Sequence, residues 1–310
     1  MNAYPMEPSL RGYDNSSSIH LEYVVSLIPV LIWSAIHFGW TAFLRLMLSG
    51  VTVCLLHMGT QLLQMLLFKL APRKLFNLRA LLVGILIALP MPSDLPIWQL
   101  LLADLAAVLL LFIFGSEVHL PFSLPALVAS LLLLFPAARR YPLLVDSEGG
   151  KPLMALLGAG EKPQLSVTDM LLGKMDGNMG DVASLLILLG GLYLLVRRHI
   201  HWQIPLAGLI GAALTAYTLA PDTMSVFYFV GAHLFSGSFL LVLVYFASDR
   251  TSAPITPRAG LVYGALYGLL TIFFRFQFGI DGALPALLVT SVFSYPLDHI
   301  SAPLPFGGRR

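Results

Sequence analysis

Long apolar runs separated by short polar turns make up most of the chain between residues 21 and 296. Ten of these runs are long enough, or nearly long enough, to cross a bilayer: 21–39, 43–68, 78–93, 97–115, 122–136, 182–196, 204–220, 224–247, 259–275 and 281–296. A transmembrane helix needs about 20 predominantly apolar residues, because the hydrocarbon core is about 30 Å thick. The pattern therefore predicts an all-α membrane protein with about ten transmembrane helices.

Prolines shorten or interrupt several of these runs. They stand at Pro90, Pro92, Pro125 and Pro136. A broken helix is tolerated in a membrane only where protein or a cavity covers the backbone groups that lose their partners. We therefore expect a compact bundle with an occupied interior.

One long polar stretch divides the apolar runs into five and five. This arrangement predicts an N-terminal tail (1–20), a first five-helix half (21–136), an extracytoplasmic loop (137–181), a second five-helix half (182–297) and a C-terminal tail (298–310). Residues 81–94 and 234–249 share small residues, an apolar run and a terminal Ser-Asp. Both features favour an inverted repeat, although chance similarity between apolar helices is the alternative explanation.

Basic residues concentrate on one side of the predicted bundle, which sets its orientation. With the N-terminus inside, eleven Lys and Arg residues lie in inner segments, whereas the short outer loops hold only Arg45 and Arg275. We interpret Arg275 as a residue near a span end whose charged group reaches the membrane surface. The asymmetry predicts a multi-pass protein of the bacterial inner (cytoplasmic) membrane, with both termini cytoplasmic.

Composition agrees with a protein surrounded by lipid. Of the 310 residues, 57% are hydrophobic and only 11% are charged, and the net charge of +2 gives no indication of nucleic-acid binding. The single cysteine, Cys54, can form no internal disulfide. No Cys/His spacing of a metal site and no nucleotide-binding or nucleophile motif is present, so we predict no metal.

The run from Ser248 to Leu270, SDRTSAPITPRAGLVYGALYGLL, combines a polar turn with a Gly-spaced helix. Pro254 and Pro257 fix φ and remove two backbone donors, which makes the turn rigid. The residues that we expect to hold it in shape are Asp249, Thr251, Ser252 and Thr256.

This turn resembles one in the D component of the Rnf electron-transport complex and in the related B component of the sodium-translocating NADH:quinone oxidoreductase. Residues 171–205 resemble that family's Gly-x-x-Gly entry into a span that ends in Arg-Arg and Trp-x-Ile-Pro. Residues 232–249 resemble its His-Leu-x-Ser-Gly helix, and the likeness extends from His20 to Pro303. It implies a subunit of an ion-translocating oxidoreductase, a translocase that couples electron transfer between membrane-embedded flavins to sodium or proton movement. Other membrane subunits are the implied partners.

The resemblance also identifies where this chain departs from the family. Members carry FMN on the Thr of a Ser/Thr-Gly-Ala-Thr-Pro-Leu motif in the outer loop, and here Lys151 occupies the position of that Thr. An ammonium group cannot form the phosphoester, so we predict that no FMN is attached covalently. Lys151 is either a cation that holds a phosphate non-covalently beside Gly149 and Gly150, or a solvated loop lysine.

A second loop, Phe114 to Ala126, resembles the segment near the family's non-covalent flavin. The family's Asn residues and two of its glycines are missing from it, while Phe122, Pro125 and Ala126 match. Either His119 and Ser123 replace part of the lost hydrogen-bonding capacity, or this flavin site has been lost, which is the simpler account. Any flavin in this chain, FMN or riboflavin, is therefore expected to be bound non-covalently.

Two ionisable residues inside the predicted spans are functional candidates, since such groups are costly in lipid. Asp104 lies about two turns into the fourth span, and it either serves an ion or proton pathway or makes a hydrogen bond between helices. His233 matches a family position, which implies a structural or cofactor-proximal role.

These observations predict a membrane subunit of an Rnf/Nqr-like complex. The alternative is a non-redox membrane scaffold or permease-like paralogue that keeps the bundle and has lost the cofactors. A channel for a small neutral solute rests on the five-plus-five architecture alone.

Overall fold

The fold is a bundle of helices, seen in a computed structural model that describes residues 16–68, 76–114, 122–135, 153–158, 161–175, 177–278 and 281–302. No strand is present among these residues. The helices are α1 Ser16–Phe38, α2 Trp40–Phe68, α3 Leu78–Ala88, α4 Ile97–Phe114, α5 Leu124–Leu132, α6 Leu153–Gly158, α7 Val167–Leu171, α8 Ser184–Val196, α9 Gln203–Thr218, α10 Val226–Phe235, α11 Phe239–Leu241, α12 Pro257–Phe278, α13 Ala283–Val292 and α14 Ser294–Ser301. The prediction of an all-α protein is confirmed.

Four helices in the described part of the chain, α1, α2, α4 and α12, are long and apolar enough to cross a membrane. A fifth span arises if α10 and the Phe239–Ala247 helix are counted as one helix bent by 59°. The chain is therefore a multi-pass membrane protein. Helices α3, α8 and α13 are apolar but have only 11, 13 and 10 residues. Because a helix rises about 1.5 Å per residue, none of the three spans the hydrocarbon core alone.

Prolines mark the ends of the short helices. Helix α3 ends at Ala88, before Pro90 and Pro92. Pro125 stands in the first turn of α5, where its missing N–H has no helical partner to lose, so it opens that helix instead of breaking it. The predicted count of ten transmembrane helices stays a prediction, as do the domain boundaries drawn from it.

Small residues bring α9 and α12 into backbone contact. A Cβ added at Gly211 would lie 2.5 Å from the carbonyl oxygen of Ala265, and one at Gly268 would lie 2.6 Å from the backbone nitrogen of Ala212. Glycine therefore permits an approach that any side chain would prevent.

The bundle buries a continuous apolar core and exposes apolar side chains outward. Leu27, Leu46, Ile87 and Phe239 are fully buried. Large exposed side chains recur along α2, α4 and α8, as expected of surfaces that face lipid tails.

The α9–α12 contact predicts a large effect of one added methyl group. We expect Gly268→Ala to destabilise the bundle by about 1–3 kcal/mol, because the new Cβ overlaps backbone atoms that cannot move aside. Gly59→Ala on α2 is the matched control, since nothing lies within 4 Å of a Cβ placed there. Thermal midpoints in detergent measure both variants, and equal midpoints would contradict the backbone contact.

Candidate functional site

The Pro-containing turn that follows the helical segment Val242–Ala247 is held in shape by Asp249. The backbone carbonyl of Asp249 accepts hydrogen bonds from the N–H groups of Ser252 and Ala253, at 3.0 and 2.8 Å. The Asp249 carboxylate accepts from the Thr251 hydroxyl at 2.5 Å and from the Thr251 N–H at 3.3 Å. These four bonds close the turn on itself.

Asp298 on α14 ties the second part of the turn to the bundle. Its carboxylate accepts hydrogen bonds from the N–H groups of Ile255 and Thr256, both at 2.8 Å, and from the Thr256 hydroxyl at 2.9 Å. The Thr256 hydroxyl oxygen lies 3.4 Å from the N–H of Ala259, the geometry of a cap on α12 with Pro257 as the first helical residue. No local pattern in the sequence identifies Asp298, because its partners lie 42 and 43 residues earlier in the chain.

A cavity of about 250 Å³ lies beside this turn. Asp249, Arg250 and Thr251 form one part of its lining, and His20 and Arg79 add two more basic groups. Its remaining walls are apolar or aromatic, and come from Ile19, Tyr23, Leu82, Val83, Leu86, Pro125 and Tyr245. Basic groups around an apolar interior suit a ring system that carries an anionic or polar tail.

Tyr245 lies in a π-helical segment, Val242–Ala247, that continues α11. Its hydroxyl donates to the carbonyl of Ser26 at 3.1 Å, and its ring stands edge-on to Tyr23 with centroids 6.4 Å apart. The Tyr23 hydroxyl is buried and has no hydrogen-bond partner among the described residues. π-Helical turns are frequent at functional sites, and buried polar groups without a partner are rare in proteins, so both features distinguish this cavity.

The second polar region is the break between α10 and α11, where Gly237 adopts a φ of +64°. Arg275 on α12 closes the end of α10: its guanidinium donates to the carbonyls of His233 at 2.5 Å, Ser236 at 2.9 Å and Asp281 at 2.8 Å. The last carbonyl groups of a helix that ends inside a membrane have no hydrogen-bond partners within the helix. The Arg275 guanidinium is the donor to these carbonyls at the end of α10.

Asp281 completes the break from the other side. One carboxylate oxygen pairs with Arg275 at 2.9 Å, and the other accepts from the Ser238 N–H at 3.0 Å and from the Ser238 hydroxyl. Within this ion pair, Arg275 donates hydrogen bonds to backbone carbonyls at the end of α10, and Asp281 accepts one from a backbone N–H at the start of α11. Arg275 is only 3% exposed, so the interpretation of Arg275 as a residue reaching the membrane surface is wrong.

Asp181 lies close enough to Asp281 and Arg275 to interact with both electrostatically. It accepts hydrogen bonds from the backbone and side-chain N–H groups of Asn178, at 2.6 and 2.9 Å. Burial, reinforced by the charge of Asp281, raises the pKa of Asp181 well above its usual value, so the neutral acid is favoured.

The segment around Asp181 also makes hydrogen bonds near the ends of α3 and α10. The N–H groups of Met179 and Gly180 donate to the carbonyls of Met91 and Leu89, just after α3, at 3.0 and 2.7 Å. The Ser184 hydroxyl donates to the carbonyl of Phe235, the last residue of α10, at 2.8 Å.

His233 belongs to the broken-helix region and does not line the cavity. Its ring packs between Phe229 and Phe276, with centroid distances of 4.5 and 5.7 Å. Neither ring nitrogen has a partner among the described residues. Asp104 is fully buried on α4, and its Oδ1 lies 2.6 Å from the Ser49 hydroxyl.

Four of the predicted site residues, Gly149, Gly150, Lys151 and His119, lie outside the described residues. Their predicted roles in phosphate or flavin binding therefore stay predictions. Within the part of the chain that the structure describes, no group of three His, Cys, Asp or Glu side chains could hold a metal ion.

Comparison with known proteins places the chain among components of membrane complexes. The model of the NQR2, RnfD, RnfE family matches residues 4–307. The D component of the Na⁺-translocating ferredoxin:NAD⁺ oxidoreductase complex of Acetobacterium woodii is 28% identical, over 92% of this chain and 89% of its own length. The D components of the ion-translocating oxidoreductase complexes of Aeromonas salmonicida and Methanosarcina acetivorans are 29% and 27% identical, over 98% and 92% of this chain and 98% and 90% of their own lengths.

The contacts at the break between α10 and α11 predict that the stability of the protein depends strongly on Arg275. We expect Arg275→Gln to destabilise the protein by about 3–5 kcal/mol, because it leaves Asp281 buried without its partner. Arg275→Lys restores only part of the loss, since one ammonium group cannot reach three carbonyls and a carboxylate in this planar arrangement. The control is the exposed Arg197, which pairs with the half-buried Glu22, and Arg197→Gln should change the thermal midpoint less than Arg275→Gln. Equal effects at both arginines would contradict the role of Arg275.

The hydrogen bonds of the turn predict that Asp298 contributes more to stability than the adjacent His299. Asp298→Ala removes the acceptor of three hydrogen bonds and should lower stability by about 1–3 kcal/mol, with Asp298→Asn less severe because one acceptor oxygen remains. His299→Ala, at an exposed position on the same helix, is the control. The measurements are membrane abundance and protease cleavage between Arg250 and Arg258. An uncleaved, normally abundant Asp298→Ala protein would contradict the anchor.

Proposed function

Because the chain belongs to the NQR2, RnfD, RnfE family, we propose that it is an integral membrane subunit of an ion-translocating electron-transport complex of the Rnf or Nqr kind. The observation that carries the proposal is the match of the family over residues 4–307. Relatives that are named as subunits of such complexes cover nearly the whole chain. The partners are the other membrane subunits of that complex.

The cavity beside the turn is the place where this chain would hold a flavin non-covalently. Its volume of about 250 Å³ lies just below the range of about 300–1,000 Å³ common for ligand pockets, so it has room for a ring system but not for a whole dinucleotide. The unpartnered Tyr23 hydroxyl offers a hydrogen bond to such a ring. Pro125 in its lining comes from the loop that resembles the family's non-covalent flavin segment. The residues present fit FMN or riboflavin.

Each group around the cavity has a definable part in binding. Tyr23 and Tyr245 would pack against the ring, and His20, Arg79 and Arg250 would attract an anionic tail. Asp249 opposes an anion at the same rim, which favours a neutral ribityl chain over a phosphate close to that side. A bound flavin would supply one- and two-electron transfer to neighbouring carriers.

Covalent attachment of FMN is not part of this proposal. The acceptor position holds Lys151, and no Thr occurs between Asp146 and Gly160. Lys151 itself is assigned either to non-covalent phosphate binding or to a solvated loop.

Membership of this family also supports a proposal for the number of membrane segments and their orientation. We infer ten membrane segments in two inverted halves, with both termini on the inner side of a bacterial inner membrane. The packing supports two related halves, since α2 packs on α4 as α9 packs on α12, while α1 contacts α8 and α5 contacts α13 between the halves.

The second candidate function is a membrane scaffold that has lost the cofactors. The observation in its favour is the replacement of the FMN-bearing Thr by Lys151. A scaffold would keep the inner turn and its partner subunits without binding flavin.

We predict that the purified full chain contains acid-extractable flavin and shows no fluorescent band at the monomer mass on a denaturing gel. Arg79→Gln should lower the flavin content about tenfold or more, because a charge-assisted bond contributes about 1.5–3 kcal/mol. Arg258→Gln, at an exposed residue outside the cavity lining, is the control.

Two other outcomes of these measurements would support a different function or a different mode of flavin attachment. Co-purification of neighbouring membrane subunits without any flavin would support the scaffold. A fluorescent monomer band that disappears in Ser147→Ala would instead establish covalent attachment in the outer loop.

A further inference from the structure

We propose that Asp104 and Ser49 form a proton-binding site inside the membrane, between α2, α3 and α4 and separate from the inner cavity. Neither residue lines that cavity. Asp104 lies seven residues into α4, roughly 10 Å from its first residue, and its carboxyl group is enclosed by the bundle. Ser49 is also fully buried, nine residues into α2.

Close packing of α2 on α3 positions the Ser49 hydroxyl between the Gly84 carbonyl and the Asp104 carboxyl group. A Cβ added at Gly84 would lie 2.5 Å from the carbonyl oxygen of Ser49, so the two backbones touch at this level. As a result the Ser49 hydroxyl oxygen lies 2.8 Å from the carbonyl oxygen of Gly84 and 2.6 Å from Oδ1 of Asp104. The hydroxyl is therefore held between two oxygen atoms.

Counting protons at this hydroxyl assigns the state of Asp104. A serine hydroxyl carries one hydrogen, and a carbonyl oxygen can only accept. If Ser49 donates to Gly84, then the short contact to Asp104 is a hydrogen bond only when the carboxyl group donates. The chain Asp104 O–H to Ser49 O–H to Gly84 C=O satisfies both contacts, and it requires a neutral acid.

The surroundings of Asp104 agree with a neutral acid. Its Oδ2 atom has no hydrogen-bond partner among the described residues, a tolerable state for a carboxyl carbonyl and a costly one for a carboxylate. The helices that pack on α4 carry only four other titratable side chains: Arg45, Cys54 and His57 on α2, and Arg79 on α3. Among the described residues, the side-chain hydrogen-bond partner of Asp104 is Ser49.

The same three groups can accommodate release of the proton. When Asp104 gives up its proton, the Ser49 hydroxyl can rotate away from the Gly84 carbonyl and donate to Oδ1 of the new carboxylate. One proton leaves, no covalent bond other than O–H changes, and Ser49 keeps one hydrogen-bond acceptor in both states. A metal cation is a poorer occupant, because the Ser49 and Asp104 oxygens are in direct hydrogen-bond contact and leave no space between them.

The test measures the carboxyl group directly in membranes that contain the full chain. A hydrophobic carbodiimide adds across the O–H of a protonated carboxyl group in the membrane and leaves a stable acylurea, which peptide mass spectrometry locates. We expect Asp104 to be labelled at low pH. Above the pKa of its carboxyl group, the rate of labelling should fall about tenfold for each pH unit, because only the protonated form reacts. Replacing choline chloride by sodium chloride at fixed pH should leave the label unchanged.

Two variants and an internal control sharpen the result. Asp104→Asn should lose the label and keep the thermal midpoint, since the amide can still donate to Ser49. Ser49→Ala should keep the label to higher pH, because the carboxylate loses its donor. Asp94, an exposed carboxylate just before α4, should remain unlabelled throughout.

Infrared spectroscopy gives an independent measurement, as the carbonyl stretch of a protonated carboxyl group should disappear in Asp104→Asn. Suppression of the label by sodium at constant pH would overturn the proposal in favour of a cation site. Absence of both the label and the infrared band would overturn it as well. Because these measurements do not depend on flavin or on partner subunits, they can fail while the proposed redox function holds, and the reverse.

Discussion

The ion pair of Arg275 and Asp281 is the interaction on which the break between α10 and α11 depends. A helix that stops inside a membrane exposes carbonyls at one end and N–H groups at the other, and water cannot reach either set. Here the cation meets the carbonyl end of α10 and the anion meets the N–H end of α11. The charges neutralise one another as well, so the break leaves the bundle with no unpaired charge at this point.

The Pro-containing turn before α12 applies the same solution with a single carboxylate. Asp298 receives the N–H groups that the prolines leave without helical partners in the turn. The turn itself shapes one wall of the cavity. The wall of the cavity that the turn forms is therefore supported from α14, far along the chain.

How far the sequence alone predicts these features depends on the range of each contact. Apolar runs and the Pro-clamped turn are local patterns, so the helical class and the position of the turn could be predicted. The run 224–247 predicts one span, yet the polar Ser236-Gly237-Ser238 breaks it, a signal that could have been used. Burial of Arg275 and the anchoring role of Asp298 could not be predicted, because their partners are fixed only by packing between distant helices.

The short segment from Met179 to Ser184 couples the end of α3 to the end of α10. It donates hydrogen bonds to the chain just after α3 and to the end of α10, and it lies where the predicted outer loop ends. Any partner that displaces this segment would remove hydrogen bonds from both helix ends in one step. The chain after α3 and the end of α10 would then lose these contacts together and not in succession.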